Sequence, residues 1–229
     1  MKIGGLQKVS LIDYPGMICA TVFTQGCNFR CPYCHNPELV EPGLFGECLS
    51  EDMVVSFLEK RKGKLDAVSI TGGEPTIQQD LIPFIKQVKK LKLCVKIDTN
   101  GSNPEILQKI IEKSLVDYIA MDIKGPLEKY KMISQSNIDE NIISKSVELI
   151  MSSGIPYEFR TTVLKSKLNE KDILEIGRLI KHADLYVLQQ FVPSKILDQS
   201  CIDQATCNRE ELEVMGQKLQ KDVHRVMIR

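Results

Sequence analysis

The 229-residue chain lacks a net charge, a long apolar run and a complete set of four neighbouring cysteines. Its 30 basic residues balance 30 acidic ones, so no overall attraction to nucleic acid or to an anionic membrane is expected. No stretch approaches the roughly 18 consecutive apolar residues of a membrane-spanning helix, and Met1–Pro15 lacks the apolar core of a signal peptide. We therefore expect a cytosolic (cytoplasmic) protein without nucleic-acid or membrane partners.

Eight cysteines are present, and in a cytosolic protein they indicate metal or redox chemistry rather than a disulfide framework. Cys27, Cys31 and Cys34 lie within one short loop, and Cys48 follows without a partner at metal-ligand spacing. A structural zinc site or a ferredoxin cluster takes four protein ligands. Three thiolates on a cubane leave one iron open to a substrate or cofactor, so the loop favours a catalytic centre.

A zinc site remains an alternative interpretation of this loop. His35 or a distant cysteine could supply the fourth ligand, although adjacent side chains such as Cys34 and His35 bind one ion with difficulty. Cys201 and Cys207 have no neighbours in the sequence that would complete a metal site around them. Cys19 and Cys94 lie in apolar runs that predict core strands.

Short apolar, β-branched runs alternate with longer amphipathic stretches, which predicts an α/β fold with a parallel sheet and right-handed crossovers. The predicted strands are Met17–Thr24, Ala67–Thr71, Cys94–Asp98, Tyr118–Asp122, Tyr157–Leu164 and Leu185–Gln190. The predicted helices are Glu51–Arg61, Leu81–Leu91, Pro104–Lys113, Glu140–Ser153, Glu170–Lys181 and Arg209–Lys221, with a candidate edge strand at Val223–Ile228. Six strand–helix units cannot close an eight-stranded barrel, so we expect an open (β/α)6 partial TIM barrel.

We expect one domain over residues 1–229, with a core at about 16–192 and a C-terminal helix and strand extension at 193–229. The sequence has no internal repeat, no low-complexity tract and no linker long enough to separate domains. A chain of this length is sufficient for one sizeable core.

Polar motifs follow three of the predicted strands, and an arginine lies within a fourth. They are Thr71-Gly72-Gly73-Glu74-Pro75, Asp98-Thr99-Asn100-Gly101, Asp122-Ile123-Lys124 and Arg160. The carboxyl ends of parallel strands meet at one edge, where such folds build active sites. The paired glycines suit a simple turn, but they also let a small zwitterion approach the backbone. We expect these motifs to meet the cysteine loop at that edge.

The charged residues of these motifs also have a structural interpretation. Asp98 and Asp122 are costly to bury without a partner, and Lys124 is close enough in sequence to form a simple ion pair. Arg160, between apolar neighbours, requires an anion. Glu158 or a bound cofactor would serve.

The cysteine loop, with Tyr33 before its last cysteine, resembles the CxxxCxxC signature of the radical S-adenosylmethionine (SAM) enzymes. The resemblance implies a 4Fe–4S cluster on the three cysteines, with the amino and carboxylate groups of SAM bound to its fourth iron. Reduction would then give methionine and a 5′-deoxyadenosyl radical that abstracts a hydrogen atom. It implies cofactor contacts for a further set of residues, namely Tyr33, Gly72, Gly73, Glu74 (beside the ammonium of the methionine moiety) and Arg160.

Three segments resemble the anaerobic ribonucleoside-triphosphate reductase activating proteins: Ser10–Gly16, Thr24–Cys27 and Cys34–Glu38. The resemblance implies hydrogen abstraction from a glycine of a partner glycyl-radical enzyme, with electrons from a flavodoxin or ferredoxin. In similar activating enzymes a DTN turn and a D-x-K segment adjoin the cofactor, and their aspartates can hold a monovalent cation. The matching residues here are Asp98, Thr99, Asn100, Asp122 and Lys124.

Three alternatives remain open at this point. Pyruvate formate-lyase activating enzymes share the architecture, although their sixth strand tends to end in a histidine where this chain has Gln189-Gln190. A small-molecule radical SAM enzyme, such as a 7-carboxy-7-deazaguanine synthase, shares the compact size and the glycine turn. A non-catalytic electron-transfer protein would neither bind nor cleave SAM. His35-Asn36-Pro37 suits a surface turn or a source of hydrogen bonds to cluster sulfurs.

Overall fold

A computed structural model describes residues 1–201 and 206–229. It contains one sheet whose eight strands pair in chain order. The strands are β1 (Ile3–Ser10), β2 (Cys19–Thr24), β3 (Ala67–Gly72), β4 (Cys94–Thr99), β5 (Tyr118–Asp122), β6 (Tyr157–Val163), β7 (Tyr186–Gln190) and β8 (Val226–Ile228). β1 is antiparallel to β2, and every later neighbour is parallel. In the described chain β1 and β8 do not pair, which confirms the predicted α/β fold with an open parallel sheet.

Helices cover the outer face of this sheet. They are α1 (Pro37–Val40), α2 (Glu51–Lys60), α3 (Leu81–Lys90), α4 (Pro104–Glu112), α5 (Tyr130–Ser134), α6 (Glu140–Met151), α7 (Glu170–Leu179) and α8 (Arg209–Leu219). Side-chain caps define where several of these helices begin. At α4 the side chain of Asn103 accepts the N–H of Ile106, and Asn169 and Asn208 form capping boxes at α7 and α8. None of the helices in residues 1–201 and 206–229 is long and apolar enough to cross a bilayer.

The six predicted strands are all present, with ends within two residues of the prediction. The predicted edge strand is shorter, at Val226–Ile228, and pairs with β7 in the same sheet. The prediction missed β1, whose two glycines and irregular alternation hide its strand character. Its register against β2 shifts between Ile3 and Gly5 and again between Gln7 and Ser10.

The two faces of the sheet differ in chemistry, and this difference positions the site. Outward side chains such as Ile97 and Phe159 pack with the helices in one fully buried core. On the inner face β4 carries Lys96 and Asp98, two residues apart and therefore on the same side. β6 carries Glu158 and Arg160 in the same way. The interior of the open barrel therefore contains charged side chains of both signs, and these extend to the carboxyl ends of the strands.

Candidate active site

One cavity at the carboxyl ends of the strands collects every residue that the sequence predicts as functional. These are Cys27, Cys31, Tyr33, Cys34, Gly72, Gly73, Glu74, Asp98, Thr99, Asn100, Asp122, Lys124 and Arg160. Thr71, the first residue of the predicted glycine motif, also lines the cavity, whereas sequence reasoning missed Phe29, Val40 and Thr162. The alternation of side chains along a strand could have predicted Thr162, because it lies two residues beyond Arg160 and therefore on the same face of β6.

The cysteine loop is held in place by an arginine within it. The backbone N–H of Arg30 donates to the carbonyl of Ser134 at 2.9 Å. Its guanidinium Nη1 donates to the carbonyls of Cys27 at 2.7 Å and Phe29 at 2.9 Å. These bonds fold the loop around its own arginine and leave the thiols on the cavity side.

Burial governs the protonation of the three thiols. It raises the pKa of Cys27 to about 12 and that of Cys31 to about 11, where the nearby ammonium of Lys124 partly opposes the rise. Burial also raises the pKa of Cys34. The thiols are therefore protonated at neutral pH until a positively charged metal centre displaces their protons.

The donor set fits a three-thiolate cluster. Among the described residues no fourth cysteine lines the cavity, which matches a cubane with one open iron. In that part of the chain no three Cys, His, Asp or Glu side chains are close enough to hold a single ion. The three thiols instead lie around a cavity, and a cubane spreads its ligands more widely than one zinc ion does.

The glycine turn after β3 packs directly on the backbone that ends β2. A Cβ on Gly72 would lie 2.6 Å from the nitrogen of Thr24, and the φ of Gly72 is +104°. A Cβ on Gly73 would lie 2.0 Å from the carbonyl oxygen of Gly26. Glycine is therefore required at both positions for close backbone packing, independently of any ligand.

Glu74 is 1% exposed, and the chain's own donors occupy its carboxylate. Oε1 accepts from the N–H of Thr76 at 3.0 Å, from its hydroxyl at 2.6 Å and from the hydroxyl of Thr99 at 2.8 Å. Oε2 accepts the N–H of Asn100 at 2.6 Å. Burial raises the pKa of Glu74. The side chain joins the turns after β3 and β4, and its Oε2 accepts one donor where Oε1 accepts three.

Arg160 lies at the centre of a charged network on the cavity floor. Its Nε donates to Oδ1 of Asp122 at 2.8 Å, and its Nη1 donates to Oδ2 of Asp98 at 3.3 Å. Lys124 donates to Oδ2 of Asp122 at 3.1 Å, and Lys96 bonds Asp98. The simple ion pair between Asp122 and Lys124 is therefore present, within a larger network.

Glu158 is the weaker of the anionic contacts of Arg160. It lies 3.8 Å from the guanidinium, and Arg229 instead holds it in two bonds of 3.0 Å each. The sequence analysis offered Glu158 or a cofactor as the partner of Arg160. The aspartates of β4 and β5 take that place.

The network is charge-compensated with one positive charge in excess. Burial alone would raise the pKa values of Asp98 and Asp122, but Arg160 reverses the effect and holds both below their usual range. Lys96 reinforces this at Asp98, and Lys124 at Asp122. Two carboxylates thus face three cations, and with Glu158 and Arg229 included three carboxylates face four cations.

The segment after β7, residues 191–201, contacts the cysteine loop, and we call it the strap. The N–H of Leu197 donates to the carbonyl of Cys34 at 3.0 Å, and that of Asp198 donates to the carbonyl of Pro32 at 2.8 Å. The sequence did not predict this contact, because 163 residues separate Leu197 from Cys34 and no periodic pattern marks the strap.

The sequence analysis considered hydrogen bonds from His35 or Asn36 to the cluster sulfurs, and the two residues make different contacts. The ring Nε2 of His35 lies 3.0 Å from the carbonyl oxygen of Val192 in the strap, and the ring also contacts Phe191. The backbone N–H of Asn36 lies against the thiol of Cys34 and lowers its pKa, although burial dominates. The ring of His35 therefore contacts the strap, whereas the backbone N–H of Asn36 contacts the sulfur of Cys34.

Comparisons with known proteins identify the family of this chain. The family model of the radical SAM superfamily matches residues 21–180. A Methanocaldococcus jannaschii protein named "Putative glycyl-radical enzyme activating enzyme" is 34% identical over 235 residues, 99% of this chain and 95% of its own length. The pyruvate formate-lyase-activating enzyme of Clostridium pasteurianum is 32% identical over 192 residues, 79% of this chain and 76% of its own.

Solved structures show the same fold at low sequence identity. Streptococcus suis SuiB bound to S-adenosylmethionine superposes with a TM-score of 0.71 at 15% identity, over 90% of this chain and 48% of SuiB. This chain therefore spans about half the length of that protein. Members of the superfamily use a 4Fe–4S cluster and SAM. The chain belongs to the radical SAM superfamily of enzymes and, within it, to the glycyl-radical enzyme activating enzyme family.

Proposed function

We propose that this protein activates a partner glycyl-radical enzyme by using SAM bound at a 4Fe–4S cluster. The observation that carries the proposal is the meeting of a three-cysteine loop, a paired-glycine turn and a charged network in one cavity. Similarity over nearly the whole chain to a relative named as an activating enzyme supports the class of partner.

Cys27, Cys31 and Cys34 would hold the cluster and leave one iron for the amino and carboxylate groups of SAM. When bound, the cluster supplies the electron that cleaves the sulfonium to methionine and a 5′-deoxyadenosyl radical, which takes a hydrogen atom from a glycine Cα. The chain keeps water away from this region, because Cys31 and Tyr33 are 7% and 5% exposed. Phe29 adds an apolar wall, packed edge-on against Tyr130.

The excess positive charge of the floor suits the carboxylate of SAM. We place this carboxylate near Lys124, which lines the cavity and is bonded on one side only by Asp122. The guanidinium of Arg160 occupies the space between Asp98 and Asp122. We therefore propose that Arg160 supplies the charge that a monovalent cation supplies in similar enzymes.

The turns above the floor suit the ammonium of SAM. Gly72 and Gly73 present backbone without side chains, and Oε2 of Glu74 accepts one donor where Oε1 accepts three. Thr99 is fixed beside them through its bond to Glu74. In this arrangement the backbone binds the ammonium, and Glu74 mainly holds the two turns together.

The segments Ser10–Gly16 and Cys34–Glu38 favour an anaerobic ribonucleoside-triphosphate reductase as the partner, with a flavodoxin or ferredoxin as the electron donor. A direct experiment mixes the anoxically reconstituted protein with SAM, a reductant and candidate partners, and records electron paramagnetic resonance spectra. A glycyl radical on the reductase, absent when its glycine is replaced by alanine, would support the proposal. A radical on pyruvate formate-lyase alone would reassign the partner, and no radical on either would contradict the activating role.

A further inference from the structure

The amide of Asn100 has an orientation that the surrounding hydrogen bonds determine. Its Oδ1 accepts the backbone N–H of Ser102 at 2.9 Å. A backbone N–H can only donate, so this end of the amide must be the oxygen. The Nδ2 end therefore faces the opposite way, 3.0 Å from Oδ1 of Asn28 and 3.9 Å from Sγ of Cys27.

Neighbouring side chains hold this amide firmly. The backbone N–H of Asn100 donates to Oε2 of Glu74 at 2.6 Å. Asn28 returns a bond from its own Nδ2 to Oγ of Ser102 at 2.8 Å, which closes a ring around the amide. Asn100 is only 6% exposed, so water competes little for its N–H groups. The donor aimed at Cys27 is therefore preorganised.

We propose that Asn100 donates a hydrogen bond to the Cys27 sulfur of the bound cluster and raises the reduction potential of that cluster. A reduced cluster carries one more negative charge on its iron and sulfur atoms, so a donor to a ligand sulfur stabilises the reduced form more than the oxidised form. This inference rests on the proposed cluster site.

The sulfur of Cys27 stands apart from its neighbours in this respect. It has a backbone donor, the N–H of Phe29 at 3.4 Å, and the side-chain donor of Asn100 at 3.9 Å, a length within the longer reach of sulfur acceptors. The backbone donor is common to any sequence that folds this loop. The amide is a specific choice of side chain, and it therefore gives this chain a way to set the potential through one residue.

The test is a redox titration of the reconstituted full chain, followed by the electron paramagnetic resonance signal of the reduced cluster. Asn100→Leu keeps the approximate size but removes the donor, and Asn100→Ala removes it in a smaller side chain. Both should shift the midpoint potential to more negative values.

Ser102→Ala is the matched control. It removes the hydroxyl partner of Asn28, one bond of the ring, but keeps both the amide of Asn100 and the backbone N–H that orients it, so its potential should shift much less than in the Asn100 variants. Unchanged potentials in both Asn100 variants, an equal shift in Ser102→Ala, or loss of the cluster from both Asn100 variants would overturn the inference. Failure of the wild type to bind any cluster would instead refute the proposed function.

Discussion

Arg160 joins Asp98 to Asp122 across the floor of the cavity, with contacts of 3.3 Å and 2.8 Å. One guanidinium from β6 thereby connects the ends of β4 and β5. Because the carboxyl ends of parallel strands lie side by side, the long side chain of Arg160 reaches past β5 to β4 and holds two carboxylates that would otherwise repel each other.

Replacement of Arg160 should therefore destabilise the fold. Arg160→Gln leaves two buried carboxylates short of a partner, and we expect a loss of about 3–5 kcal/mol in the free energy of unfolding. Urea denaturation of the apoprotein measures it. Arg209→Gln is the control, because Arg209 is exposed and pairs with Glu213 across one helical turn, where a pair contributes less than about 1 kcal/mol. Equal losses in the two variants would contradict the structure.

The same network predicts how the free energy of unfolding depends on pH in the acidic range. Asp98 and Asp122 have pKa values below their usual range when folded and about 3.9 when unfolded. Their contribution is therefore complete above about pH 4 and falls as the pH drops through the lower folded values, since the unfolded chain binds protons first. Denaturation between pH 7 and pH 2.5 should show this fall in the wild type and a shallower one in Arg160→Gln. Parallel curves would show that the guanidinium does not set these pKa values.

Gly73→Ala should disrupt the turn after β3. Its Cβ would lie 2.0 Å from the backbone of Gly26, and backbone cannot yield as a side chain can, so we expect a loss of about 1–3 kcal/mol or more. Gly43→Ala is the control, because nothing lies within 4 Å of its Cβ. Calorimetry of both apoproteins distinguishes them, and a Gly73 variant as stable as the control would mean that the turn is looser than described.

The strap gives a prediction about cluster retention. Leu197→Pro removes the N–H that donates to Cys34, whereas Leu197→Ala keeps it and alters only the side chain. We expect the proline variant to release iron to a chelator several-fold faster than the alanine variant after anoxic reconstitution. Identical release rates would show that the strap does not hold the cysteine loop.

The sequence predicted the strands of the barrel and the cavity lining well, because both follow local patterns. Apolar runs mark β2–β7, and the motifs that follow them meet wherever the strands are parallel. The sequence did not predict contacts between residues that are far apart in the chain and meet only in the tertiary structure. The assignment of Arg160 to Asp98 and Asp122 depends on side-chain reach across three strands, and the strap reaches Cys34 from far along the chain.

Glu74 shows the same limit at a single residue. The paired-glycine motif predicts its location, but not that Thr76, Thr99 and Asn100 occupy its carboxylate. Those donors come from two different turns, and no spacing rule connects them. A motif therefore placed the residue correctly, while the structure assigns most of its oxygen contacts to the protein itself.

The most direct test of the central claim is SAM cleavage by matched cysteine variants. Cys31 lines the cavity, whereas Cys48 is exposed and outside its lining. Reconstituted Cys48→Ala, reduced with dithionite and given SAM, should form 5′-deoxyadenosine as the wild type does, while Cys31→Ala should form none although its apoprotein remains folded. Cleavage retained in Cys31→Ala, or lost equally in both variants, would contradict a cluster held by Cys27, Cys31 and Cys34.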